Sequence, residues 1–211
     1  SGVQITFFFV GYPCVAVTKL PRPDDLPQKN VIWTPEERKA VLADFAENAP
    51  QLWGPLVVGI FIGLREGDVL KLPPSCWDGV HFKWKASKNA EERVIVAPEA
   101  MKQALDFALA ERARHKQRWE EKGLATPLPD RMFLNSRGDA WTESGFRASF
   151  FGRLAVLREK GLIGDGKTFH SHRHKVGATL TELELSDQVI KDTLANRTAQ
   201  ATAVYTRQRN A

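Results

Sequence analysis

FHSHRHKVGATL, residues 169–180, is the stretch from which the chain is best read. It places His170 and Arg173 three positions apart, one helical turn, so that in a helix both side chains lie on one face. Tyr205 follows in QATAVYTRQ, residues 200–208. A histidine, an arginine and a late tyrosine suit attack on a DNA phosphodiester. The arginine neutralises charge on the phosphate, the imidazole donates to or accepts from its oxygens, and the phenol can become a covalently bound nucleophile. The chemistry implied is DNA strand exchange.

Working outward, capping residues predict three short helices in this last third, opening near Ser171, Ser186 and Thr198. Before them, Thr142 reads as the N-cap of a helix from Glu143 to about Lys160. GLATPLPD (123–130) breaks a long helix that runs from Pro98 to about Lys122, with Leu105, Leu109 and Ala113 as its expected stripe and Trp119 as a candidate extension. Val80, Phe82 and Trp84 alternate with polar residues, SKNAEE (87–92) intervenes, and Val94 and Val96 continue the pattern. That is a short antiparallel hairpin with Lys88 near its tip. An apolar helix from about Gln51 to Leu64 carries Leu52, Leu56, Val57 and Ile60 at helical spacing and ends at the turn GLREGD (63–68). Thr34, Pro35 and Glu37 form the start signal of a helix to about Glu47, with a capping box. The fold class is mainly α with a small antiparallel β-sheet.

With 211 residues, 43% of them apolar, the chain can bury a core of ordinary domain size. Lysine and arginine outnumber aspartate and glutamate by 30 to 25, a net +5 that favours a polyanionic partner. The two cysteines, Cys14 and Cys76, have no metal-type spacing, which argues against a disulfide framework or zinc site and for a reducing cytoplasm. VQITFFFVGYPCVAV (3–17) is too short to span a bilayer and lacks a basic region before it. It reads as a strand or a docked peptide rather than a targeting segment, and no membrane anchor is expected. LPRPDDLPQKN (20–30) follows as a proline-rich linker. The expected division is therefore an apolar leader and linker over 1–30 and a folded domain over 31–211.

Four motifs, in order, resemble the catalytic domain of the tyrosine recombinases, also called phage integrases, over roughly residues 30 to 209. In GLREGDVLKL (63–72), Arg65 matches the family's first active-site arginine and Asp68 the acidic residue three positions later. In KASKNAEERVIV (85–96), Lys88 matches the lysine of the family's hairpin. His170 and Arg173 match its His-x-x-Arg box, and Tyr205 its nucleophile. Each match alone is weak, and their joint order carries the resemblance. LANRT (194–198) departs from it: Ala195 and Asn196 stand where the family usually has Gly-His or a final tryptophan. Asn196 can donate a hydrogen bond to a phosphate oxygen but carries no charge.

The resemblance implies that the tyrosine attacks the scissile phosphate to leave a 3′-phosphotyrosine link and a free 5′-hydroxyl. Arg65 and Arg173 would clamp the non-bridging oxygens, with His170 assisting, Asn196 adding a neutral donor, Lys88 protonating the leaving oxygen and Asp68 supporting the arginines. It implies double-stranded DNA as partner, leaves room for a homo-oligomer, a dimer or tetramer on the DNA, and requires no cofactor or metal. A bacterial or phage-derived protein of the cytoplasm, associated with the nucleoid, fits. The N-terminal core-binding domain usual in the family is not expected within these 211 residues. Three alternatives stay open. The string His170, His172, His174 is a conceivable metal motif, without an acidic residue to complete it. Asn196 suits a degenerate, non-catalytic DNA-binding module, and a type IB topoisomerase-like enzyme would use the same residues to relax supercoils.

Overall fold

The start signal at Thr34 is realised in full. Its hydroxyl accepts from the Glu37 amide at 3.2 Å while the Glu37 carboxylate accepts from the Thr34 amide at 2.8 Å, capping α1 (Pro35–Asn48) from both sides. The structure, a computed structural model, describes residues 32–85, 92–124 and 126–173. After α1 come α2 (Pro50–Ile62), α3 (Glu66–Leu70), a 3-10 turn at Pro74–Cys76, strands β1 (His81–Lys85) and β2 (Glu92–Val96), α4 (Glu99–Glu121) and α5 (Glu143–Glu159). Lys88, Asn196, Tyr205, the leader, the linker and the helices expected near Ser186 and Thr198 lie outside the described residues. This is the mainly α architecture with one small antiparallel sheet that the sequence patterns predict.

Helix α2 organises the rest. It is apolar nearly all round, a pattern that requires burial on every side, and it touches α1, α3, α4 and α5. Leu52, Leu56, Val57 and Val58 are buried in the core it shares with Val41 and Phe45 of α1, Met101 and Leu105 of α4, and Phe150 and Leu154 of α5. The helix stops at Gly63, whose φ of 67° is a left-handed conformation that ends it two residues before Arg65. GLREGD is then more than the turn expected from its sequence. Arg65 is the N-cap of α3, its carbonyl accepting from the amides of Asp68 and Val69, and Glu66 and Asp68 place negative charge in the first turn. Five residues are too few to leave a periodic signature.

Two faces differ from their expected reading. In the hairpin, Phe82 stands opposite Ile95 and Lys83 opposite Val94, so Ile95 shares the buried face with Phe82 and Trp84 while Val94 and Val96 are 50% and 69% exposed. Directly opposed residues project to the same side of a sheet, so the register decides the face. On α4 the buried stripe is Met101, Ala104, Leu105 and Ala108, continuing to His115, whereas Ala113 is exposed and Leu109 only half-buried. That stripe has the i, i+3, i+4, i+7 spacing of a helix packed on α2. Cys76 is buried, and burial pushes its thiol up to about 12, which makes it unreactive. Among the described residues no helix is long and apolar enough to cross a membrane.

One ion pair joins the first and last of these helices. Arg153 of α5 grips the Asp44 carboxylate of α1 through Nε and Nη2, both at 2.5 Å, and Asn48 donates a further hydrogen bond to Asp44. These bonds from Arg153 hold the Asp44 carboxyl below its usual range. Because the folded value is depressed, the stabilisation is present above the unfolded pKa, about 3.9, and is lost as pH falls through the folded one. Asp44→Asn is expected to cost on the order of 2 kcal/mol at neutral pH, and less in acid. Thermal melts of both proteins from pH 7 down to about 3 check this; a deficit of constant size would contradict it.

Candidate active site

Arg65, helix α3, Lys71, helix α5 and residues 168–170 surround a cavity of about 620 Å³. Arg65, Asp68 and His170 all line it. Arg65 projects from the start of α3 with its side chain 32% exposed, and its Nη1 lies 4.0 Å from Asp68 Oδ2 on the buried side. At that distance the carboxylate orients the guanidinium by charge rather than by a hydrogen bond. Arg173 is 3% exposed and does not line the cavity; it donates from Nη1 to the Gly63 carbonyl at 2.7 Å. It thereby ties the helical turn that carries His170 to the end of α2 from which Arg65 emerges. His170 and Arg65 are held on one side of the protein by that bond.

The turn itself is fixed from three directions. Its N-cap is Thr168: Thr168 Oγ1 accepts from the Ser171 amide and Ser171 Oγ from the Thr168 amide, both at 3.2 Å. The helix expected to open near Ser171 is therefore capped three residues earlier, with Ser171 as the reciprocating member of the box. Phe169 is buried, meeting Phe146 and Phe150 edge-on. On the remaining side, Trp33 donates from Nε1 to the Thr168 carbonyl at 3.0 Å and stacks on His172 with centroids 4.8 Å apart. Buried Lys167 completes the clasp by donating to Glu37 Oε2 at 2.6 Å and to the Ile32 carbonyl at 2.8 Å. The start of α1 thus clamps the segment leading into the His-x-x-Arg box.

Burial separates neighbouring histidines. His172 is packed between Trp33 and Phe169, and burial, with the charge of Arg38, pushes its imidazole down to about 3, so it is neutral. His170 is exposed on the cavity. These two members of the histidine string face different surroundings, and His174 lies outside the described residues. Among the described residues no group of three histidine, cysteine or acidic side chains is placed to hold a metal ion.

Packing under the turn gives a stringent requirement at Gly59 on α2. A Cβ there would stand 2.6 Å from Phe169 Cζ, and that ring is enclosed by the core. Gly59→Ala is expected to displace Phe169 and with it His170, costing about 1–3 kcal/mol. Differential scanning calorimetry measures the loss; an unchanged melting temperature would mean that the ring yields freely.

The cavity also holds residues that the sequence did not single out. Glu66, Lys71, Glu143 and Arg147 line it, with Arg147 Nε 2.9 Å from Glu66 Oε1 and its Nη2 3.4 Å from Glu143 Oε2. Burial raises the Glu66 carboxyl above its usual range against the opposing pull of Arg147. Only the four-residue spacing of Glu143 and Arg147 was readable as a helical pair. Glu66 comes from a helix distant in sequence.

Neither a protein-family model nor a curated protein sequence matches the chain. Solved structures do. The XerA recombinase superimposes with a TM-score of 0.64 at 18% identity, over 83% of this chain and 60% of that one. The Tn1549 transposon integrase, solved in complex with transposon right end DNA, gives 0.65 at 18% identity, over 86% of this chain and 63% of that one. The catalytic domain of bacteriophage HP1 integrase gives 0.54 at 16% identity, over 84% of this chain and 87% of that domain. The chain spans about three fifths of the first two and nearly all of the third. It has the fold of the tyrosine recombinase catalytic domain.

Proposed function

We propose that the chain cleaves and rejoins DNA as the catalytic domain of a site-specific tyrosine recombinase or integrase. The observation that carries this reading is the tie between Arg173 and Gly63, which keeps the turn bearing His170 beside Arg65 on one cavity. In the proposed step the Tyr205 oxygen attacks the scissile phosphorus, a P–O bond to tyrosine forms, and the bond to the 5′ oxygen breaks. The proton that Tyr205 loses passes to His170 as acid/base partner, and the proton needed by the departing oxygen comes from Lys88. Arg65 and His170 bind the non-bridging oxygens, and Arg173, buried against Gly63, adds positive charge as the pentacoordinate transition state gathers negative charge. Asn196 supplies a neutral donor, and Asp68 keeps Arg65 in position. The phosphodiester energy is retained in the phosphotyrosine, so a free 5′-hydroxyl reverses the step without ATP. Such a protein acts in a cytoplasm, on double-stranded DNA, as one member of a dimer or tetramer.

A nicked duplex tests the reading, because loss of the short fragment beyond the nick traps the adduct. Incubation with a pool of nicked duplexes is expected to give a protein band shifted on a denaturing gel and removed by protease. Bound DNA without an adduct would instead favour the non-catalytic DNA-binding module suggested by Asn196. Relaxation of supercoils without exchange between two marked duplexes would favour a topoisomerase.

A further inference from the structure

We propose that Arg147 is an additional phosphate-binding residue of this cavity, held by Glu66 in the DNA-free chain and transferred to the DNA backbone when a duplex docks. The inference rests on the DNA-cleaving reading and extends its binding surface onto α5. Arg147 is the most exposed arginine of the cavity, 54% against 32% for Arg65, and it stands on the wall contributed by α5. Its two carboxylate partners differ. Glu66 is only 15% exposed and its carboxyl is raised by burial, whereas Glu143 is 51% exposed and 3.4 Å away.

Charge in the cavity gives the exchange its direction. Arg65, Lys71 and Arg147 are balanced there by Glu66, Asp68 and Glu143. Asp68 stays with Arg65, 4.0 Å from its guanidinium on the buried side. A phosphodiester entering this lining meets little net positive charge unless one guanidinium leaves its carboxylates. Solvent reaches the pair that joins α3 to α5 from the arginine side, where the side chain is 54% exposed, and this screening lowers the cost of opening it. The guanidinium has five donors in a fork that fits phosphate oxygens, and rotation about its own side chain is enough to re-aim it. Glu66, whose carboxyl burial already raises, can take up a proton when the arginine departs, so that no uncompensated buried charge is left behind.

Arg147→Ala and Glu66→Gln are measured beside the parent by fluorescence anisotropy on a labelled random duplex over a salt series, after melts establish that each variant is folded. Arg147→Ala is expected to weaken binding several-fold and to lower the salt slope by about one. Glu66→Gln should strengthen binding, because the competing anion is gone. An Arg147→Ala protein with the parent's affinity and slope overturns the proposal. So does a Glu66→Gln protein that binds more weakly, since the pair would then be building the site rather than competing for it. A parent that binds no duplex even at low salt would overturn the DNA-cleaving reading itself, a result distinguishable from either of these.

Discussion

Tyr205→Phe is expected to abolish the covalent protein–DNA adduct while leaving duplex affinity within about twofold of the parent. The substitution removes one oxygen and keeps the ring, so it eliminates the nucleophile and little else. The only other tyrosine of the chain, Tyr12, stands in the apolar leader, far from the motifs in sequence. Binding persists because it draws on charge, and the cavity's arginines and lysine are untouched. The measurement is a denaturing gel of protein on labelled nicked duplex, beside anisotropy on the same DNA. Adduct of undiminished yield from the Phe variant would move the nucleophile to another residue. Asn196→His is the reciprocal change: if the neutral side chain handicaps the parent, restoring an imidazole should raise adduct yield, toward the roughly hundredfold that one donor to a developing charge is worth.

Particular residues explain how far the sequence could be read. The starts of α1 and α5 were legible because a cap is a local event: Thr34 with Glu37, and Thr142 with the Gly145 amide, need no partner beyond one turn. The hairpin was legible as an alternation, but not its inward face on β2. Val94 and Val96 are as apolar as Ile95, and only the pairing of Phe82 with Ile95 decides which set is buried. The site divides in the same way. Arg65, His170 and Arg173 were legible as candidates because they sit in short ordered motifs. The clasp formed by Trp33, Glu37 and Lys167 has no motif, since it joins the two ends of the described domain, and the wall of Glu66 and Arg147 likewise arises only when α3 packs on α5. Sequence spacing reports contacts within one element; contacts between elements are set by packing.

Arg173→Ala is expected to lower cleavage by at least about a hundredfold, to weaken DNA binding, and to destabilise the fold. Three effects follow from one side chain because two of its connections matter here, a hydrogen bond and a charge. Its hydrogen bond to the Gly63 carbonyl, 2.7 Å long and fully buried, joins the His170 turn to the end of α2. Leaving that carbonyl without its partner should cost about 1–3 kcal/mol, or several degrees of melting temperature in a domain of this size. Its charge is buried, where little water screens it, so its loss is expected to be felt most as negative charge builds in the proposed transition state. Arg173→Lys separates the two connections: it keeps the charge but offers a compact ammonium in place of the planar fork that reaches Gly63. The lysine variant should therefore recover part of the binding and less of the cleavage. Assays run well below every melting midpoint, with the folded fraction checked by circular dichroism, remove stability from the comparison. If folded Arg173→Ala cleaves at the parent's rate, the arginine is only a tie between helices, and the charge that stabilises the phosphate must come from Arg65 and its neighbours alone.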